Sequence, residues 1–211
     1  MGNEMEMMIQ QDDRILYLSK DVDNDSTAEI CKKILDINNL DRIGMDKFRN
    51  YAMKPIQLHI QSFGGSIYDM WNLIDVIESS NTPIITYCNG YCMSAAALIF
   101  LAGHYRCMYK HSVMMFHQLY NWSAGKINDV VLEQRQTEKL HSEMIKYIKK
   151  RTKLKKKFFK KFDKNKEDIY IKAKKCVKYG ICDEICQTSD WRSTLKEQMS
   201  QMEKYDDDCE C

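Results

Sequence analysis

The sequence predicts an α/β fold with a largely parallel sheet. A unit of short strand, turn and helix occurs three times before Gly103. No apolar run reaches membrane-spanning length, and 211 residues suffice for one well-buried domain with appendages. The composition, 44% hydrophobic and 29% charged, supplies both a core and a solvated surface. No repeat and no flexible linker divides the chain.

Arg14 to Leu18 (RILYL) reads as the first strand. Ser26 and Glu29 form a capping-box pattern ahead of Ile30, Ile34 and Leu35, which predicts a helix. A polar stretch from Asn38 to Lys54 follows, read as a loop. Ile56, Leu58 and Ile60 then alternate with polar residues as a second strand, ended by Ser62-Phe63-Gly64-Gly65. Ile67, Trp71, Ile74 and Ile77 mark one face of the next helix. Pro83 precedes an apolar strand from Ile84 to Cys88, Asn89-Gly90 turns the chain, and a helix runs from Ser94 to Gly103. Ser112 to Phe116 is a strand that delivers His117 at its end. Asn128 to Arg151 has the charge density and the spaced Val131, Leu140, Met144 and Ile148 of a long amphipathic helix. Lys174 to Tyr179 is a short helix closed by Gly180.

A formal net charge of +2 implies no strong polyanion partner overall. The segment from Lys146 to Lys166 nevertheless holds twelve Lys or Arg against one acid, Asp163. Its Phe158, Phe159 and Phe162 cluster instead of interleaving as stacking platforms, so a solvated face is expected and nucleic acid is not. The opening MGNEMEMMIQ is acidic and mixed, which predicts no secretory signal, and Glu6 stands where a myristoylation site needs Ser or Thr. Most of the nine cysteines, such as Cys31, Cys88, Cys92 and Cys176, lie in apolar segments. They read as small buried hydrophobes of a reducing, cytoplasmic compartment. Cys209 and Cys211 sit beside Asp206 to Asp208, but two thiolates do not make a closed metal site. The tail is expected to fray, and no cofactor or metal is expected.

Four places carry chemistry, each with two readings. Ser94, between a glycine turn and GYCMSAAALIFLAG's apolar helix, is either a helix cap or a nucleophile. Gly64-Gly65 is either a simple turn or a place where bare amides approach a substrate carbonyl. His117 in MMFHQ is either a satisfied structural histidine or a general base. Asp168, ahead of Ile169-Tyr170-Ile171, is either a surface acid or the carboxylate that orients such a base.

Taken in order, these segments resemble the proteolytic subunit of the Clp protease, a self-compartmentalising serine peptidase, from about Arg14 to Ile185. RILYLSKDVDND is similar to the family's first strand and turn, IQLHIQSFGGSI to its oxyanion segment and GYCMSAAALIFLAG to its nucleophile segment. MMFHQ matches the histidine strand, and DIYIKAKKCVKYGICDEI aligns with the aspartate, helix and Tyr-Gly-Leu-Val-Asp ending. The resemblance implies Ser94 as nucleophile, His117 as general base and then acid, Asp168 as orienting carboxylate, and the amides of Gly65 and Ala95 as oxyanion donors. It implies a spiral of strand-strand-helix units with a protruding handle helix, shared with the crotonases. Unfolded polypeptides would be the substrates, heptameric rings or double rings the assembly, and a Clp-type ATPase the partner, with no membrane involved.

On that basis residues 1–13 are an N-terminal segment, 14–188 the peptidase domain with a handle at about 126–162, and 189–211 a C-terminal extension. The sequence departs from the family at several points. Phe63 stands where proline usually precedes the two glycines, Leu119 replaces a proline after the histidine segment, and Ile169 follows Asp168 where an arginine that helps ring assembly is usual. An insert around Asp41 to Met53 lengthens the loop before the second strand. Low proline with high Met, Lys and Asn points to a phage or viral genome. Two other readings are a non-catalytic structural subunit and a crotonase-type acyl-CoA enzyme, whose paired amides would hold a thioester oxyanion.

Overall fold

The computed structural model describes residues 14–120, 123–164 and 167–186. A sheet of β1 (Ile15–Leu18), β2 (Ile56–Ser62), β3 (Ile84–Met93), β4 (Tyr105–Met108) and β7 (Glu184–Ile185) runs in that order, every pair parallel. Strand β5 (Val113–Phe116) pairs parallel with the end of β3 and antiparallel with β6 (Ile169–Lys172). Helices α1 (Asn24–Lys47), α2 (Ile67–Ser79) and α3 (Ala95–Ala102) follow β1, β2 and β3, as parallel strands require. The long α4 (Ile127–Arg151), the short α5 (Lys156–Phe159) with a π-helical turn over Lys160–Lys164, and α6 (Ala173–Lys178) complete the chain. The α/β class and the mostly parallel sheet are those expected from the sequence.

Alternation fixes the core. Leu16, Leu18, Ile56, Leu58, Ile60, Ile84 and Cys88 point inward from their strands, and all eight residues of α3 are buried. That helix is apolar all round because the other elements enclose it. Burial pushes the Cys31 thiol up to about 11 and the Cys182 thiol up to about 12, as for packed, unreactive sulfurs.

Four sequence expectations change. The N-cap of α1 is Asp23, whose side chain accepts from the Ser26 amide while Ser26 Oγ accepts from the Asp23 amide. Ser26 is thus the third helical residue, and Leu35 is exposed. The polar stretch after Asn38 is half helix, because α1 continues to Lys47 around a buried carboxylate. Asp41, 1% exposed, accepts two hydrogen bonds from the Arg14 guanidinium at 2.7 and 2.9 Å and others from Tyr51 and Thr82. Asn89-Gly90 does not turn the chain. Gly90 takes φ +80° inside β3, and β2 pairs Ile60 with Cys88 but Ser62 with Cys92, so the strand kinks and runs on to Met93. Finally, Tyr105–Met108 forms β4, which the sequence reading lacks.

The kink gives β3 two neighbours on one edge. Residues 85–88 pair with β4 and residues 91–93 with β5, which brings the end of β5 beside the residue after Met93. Helix α4 buries Leu140, Met144, Tyr147 and Ile148, while Ile127, Val131 and Leu132 in its first half are exposed. Its last residue, Arg151, donates to the carbonyls of Leu101, Ala102 and Gly103, so a cation closes the C-terminus of α3. Phe159 and Phe162 of the basic segment are core residues, and Phe158 stands edge-on to Phe116 of β5 at 5.8 Å.

Candidate active site

The site forms where β2, β3 and β5 end together. Ser94 follows β3 at the N-cap of α3 with φ 53° and ψ −124°. It is the one non-glycine at positive φ among the described residues. Such a conformation costs on the order of 1–3 kcal/mol and persists only where its surroundings impose it. Here the Ser94 amide donates to the Met115 carbonyl of β5 at 3.0 Å, and the Ser94 carbonyl accepts from Ala97. The side chain makes no capping hydrogen bond. Its Oγ instead lies 2.6 Å from His117 Nε2, at the end of β5.

The glycine turn after β2 packs against this serine. A Cβ on Gly64 would come within 2.7 Å of the Ser94 Cβ and 2.9 Å of the Ala95 nitrogen, and its φ of +106° also excludes a side chain. Gly65 lies in a bridge with Val22: the Val22 amide donates to the Gly64 carbonyl at 2.8 Å, and the Ser66 amide to the Val22 carbonyl at 2.7 Å. Among the described residues neither the Gly65 nor the Ala95 amide has a hydrogen-bond partner. Ala95 opens α3, where the helix dipole favours negative charge. A hydroxyl, an imidazole and two unpaired amides are the parts for attack on a carbonyl.

Asp168 is exposed and immediately precedes β6. The antiparallel register ends at Phe116 opposite Ile169, so one further step sets His117 opposite Asp168. Among the described residues no hydrogen bond joins the two side chains. The structure therefore brings Ser94, His117, Gly65 and Ala95 together and sets Asp168 across the sheet from the imidazole. Val22 and Met115, which fix the turn and the serine through backbone groups alone, escaped the sequence reading; no side-chain signal marks such positions.

Among the described residues no three His, Cys, Asp or Glu side chains converge as a metal site, and no helix is long and apolar enough to cross a membrane. Cys209 and Cys211 lie outside the described residues.

The family model described as Clp protease matches residues 3–189. An ATP-dependent Clp protease proteolytic subunit from Bacteroides thetaiotaomicron is 26% identical over 175 residues, covering 82% of this chain and 74% of its own. Subunit 1 of the same protease from Prochlorococcus marinus subsp. pastoris is 27% identical over 179 residues, 81% of this chain and 82% of its own. The Mesostigma viride subunit is 25% identical over 194 residues, covering 91% and 80%.

Proposed function

Because this chain belongs to the Clp protease family, we propose that it is a serine endopeptidase that cleaves unfolded polypeptides through Ser94, His117 and Asp168. The observation that carries this reading is the 2.6 Å contact between Ser94 Oγ and His117 Nε2 at a strained turn. The Ser94 hydroxyl donates to Nε2, and as Oγ attacks the scissile carbonyl the imidazole takes its proton. The carbonyl oxygen becomes an oxyanion that accepts from the Gly65 and Ala95 amides. His117 returns the proton to the leaving amine, and water then releases the acyl group by the same steps. Asp168 orients the imidazole and stabilises its charged form.

The family resemblance extends the proposal to a cytoplasmic homo-oligomeric ring, with a Clp-type ATPase delivering substrate. The exposed Ile127, Val131 and Leu132 of α4 suit contact with a second ring. A crotonase-type acyl-CoA enzyme would leave the Ser94–His117 contact without a role, and a purely structural subunit would have no use for the strained serine.

The test is covalent labelling by a fluorophosphonate probe together with hydrolysis of a short fluorogenic peptide. Ser94→Ala should abolish labelling and lower turnover by about 10⁶. If Ser94 only capped α3, the change would cost about 0.5–2 kcal/mol of stability and spare hydrolysis. Retained hydrolysis in the folded variant rejects the peptidase reading.

A further inference from the structure

We propose that Phe63, seated on Tyr91, is a specificity-determining residue of this site. It forms an apolar shelf for a large aliphatic or aromatic side chain of the substrate, within a residue or two of the scissile bond. The proposal rests on the peptidase reading of Ser94.

Side chains alternate across a strand, so Tyr91 and Met93 point away from the face on which Cys92 is buried. Cross-strand partners share a face, which adds Val113 opposite Tyr91, Met115 opposite Met93, Tyr170 opposite Met115 and Lys172 opposite Val113. His117, two residues beyond Met115, continues this face. The Phe63 ring stacks on Tyr91 with centroids 4.4 Å apart. The face that bears His117 therefore also carries Met93, Met115 and Tyr91, with Phe63 stacked on Tyr91 and Tyr170 opposite Met115. Phe63 is 62% exposed and Tyr170 61%, so both rings remain available for contact.

Position identifies the occupant. A substrate carbonyl that accepts from the Gly65 amide lies against the turn that Phe63 begins, two residues earlier. Two extended residues span about 7 Å, so a neighbouring substrate side chain reaches the ring. The rings and thioethers beside it take varied apolar groups, while the charged side chains of this face, Asp168 and Lys172, belong to the β6 segment, on the far side of β5 from Tyr91.

Paired fluorogenic peptides, identical except for Phe or Ala at each position flanking the cut, test this with the full chain. The wild type should favour Phe over Ala at one such position by at least about tenfold in kcat/KM. Phe63→Ala should reduce that preference to about twofold, chiefly through KM for the Phe peptide, and Phe63→Leu should restore most of it. Ser94 should still be labelled by the fluorophosphonate in both variants. Equal loss on both peptides, or an unchanged preference, overturns the shelf. A fall in native mass that accompanies the activity loss would assign the patch to a contact between subunits, also overturning it. Absence of labelling in the wild type would instead reject the peptidase reading, and the shelf with it.

Discussion

The Ser94 backbone explains why a serine at the start of a helix makes no cap here. With φ 53° the side chain leaves the helix axis and faces β5, where His117 waits. Apart from the family resemblance, the residues left cap and nucleophile open, because both place serine between a turn and a helix; the positive φ that turns this hydroxyl away from the cap is encoded by no residue letter. The two glycines were more legible, since Gly64 admits no Cβ beside Ser94. Asp168 enters the proposal by its place in a family pattern and by nothing in its sequence surroundings. Its exposure makes the test clean. Asp168→Asn should leave the melting temperature unchanged and lower kcat by about 10⁴, because a neutral amide favours the wrong imidazole tautomer. Near-normal turnover in that variant would remove Asp168 from the site.

Among the elements, those with periodic apolar residues were read within a residue or two: β1, β2, α2, β5, α4 and α6. The end of α1 was not, because Asp41 looks like a surface acid until Arg14, Tyr51 and Thr82 surround it. Burial alone would raise that carboxyl, but hydrogen bonds from Arg14, Thr82 and Tyr51 outweigh it and hold it below its ordinary 3.8. Asp41→Ala should cost about 3–5 kcal/mol by removing the buried carboxylate that faces the Arg14 charge, a fall in Tm on the order of 10 °C. A carboxyl lowered on folding stabilises the fold above its ordinary value, and that contribution disappears as pH falls through the lowered one. Acid melts should show the wild type losing stability below about pH 3.8, while Asp41→Ala loses less over the same interval. Equal stability of the two proteins at neutral pH would mean that this network does not hold α1. Strand β4 was missed for a different reason: Arg106 interrupts its YRCM, so it lacks the apolar run that marks the equally short β5.

For the whole molecule, sedimentation or native mass measurement should find an oligomer, and Leu132→Glu should reduce its mass by about half if α4 joins two rings. A monomer at micromolar concentration would contradict assembly. The basic segment is equally a matter of the whole fold, since its phenylalanines anchor it under β5 and leave its described lysines to solvent. The pairing of β5 between β3 and β6 also has a consequence for the order of events during synthesis. Ser94 meets His117 only when β5 docks on β3, and β5 is an unpaired edge until residues 169–172 arrive. Contacts so distant along the chain form late. A nascent chain still on the ribosome thus carries its serine and its histidine before the last strand can lock them together, and the Ser94–His117 contact waits until most of the polypeptide has emerged.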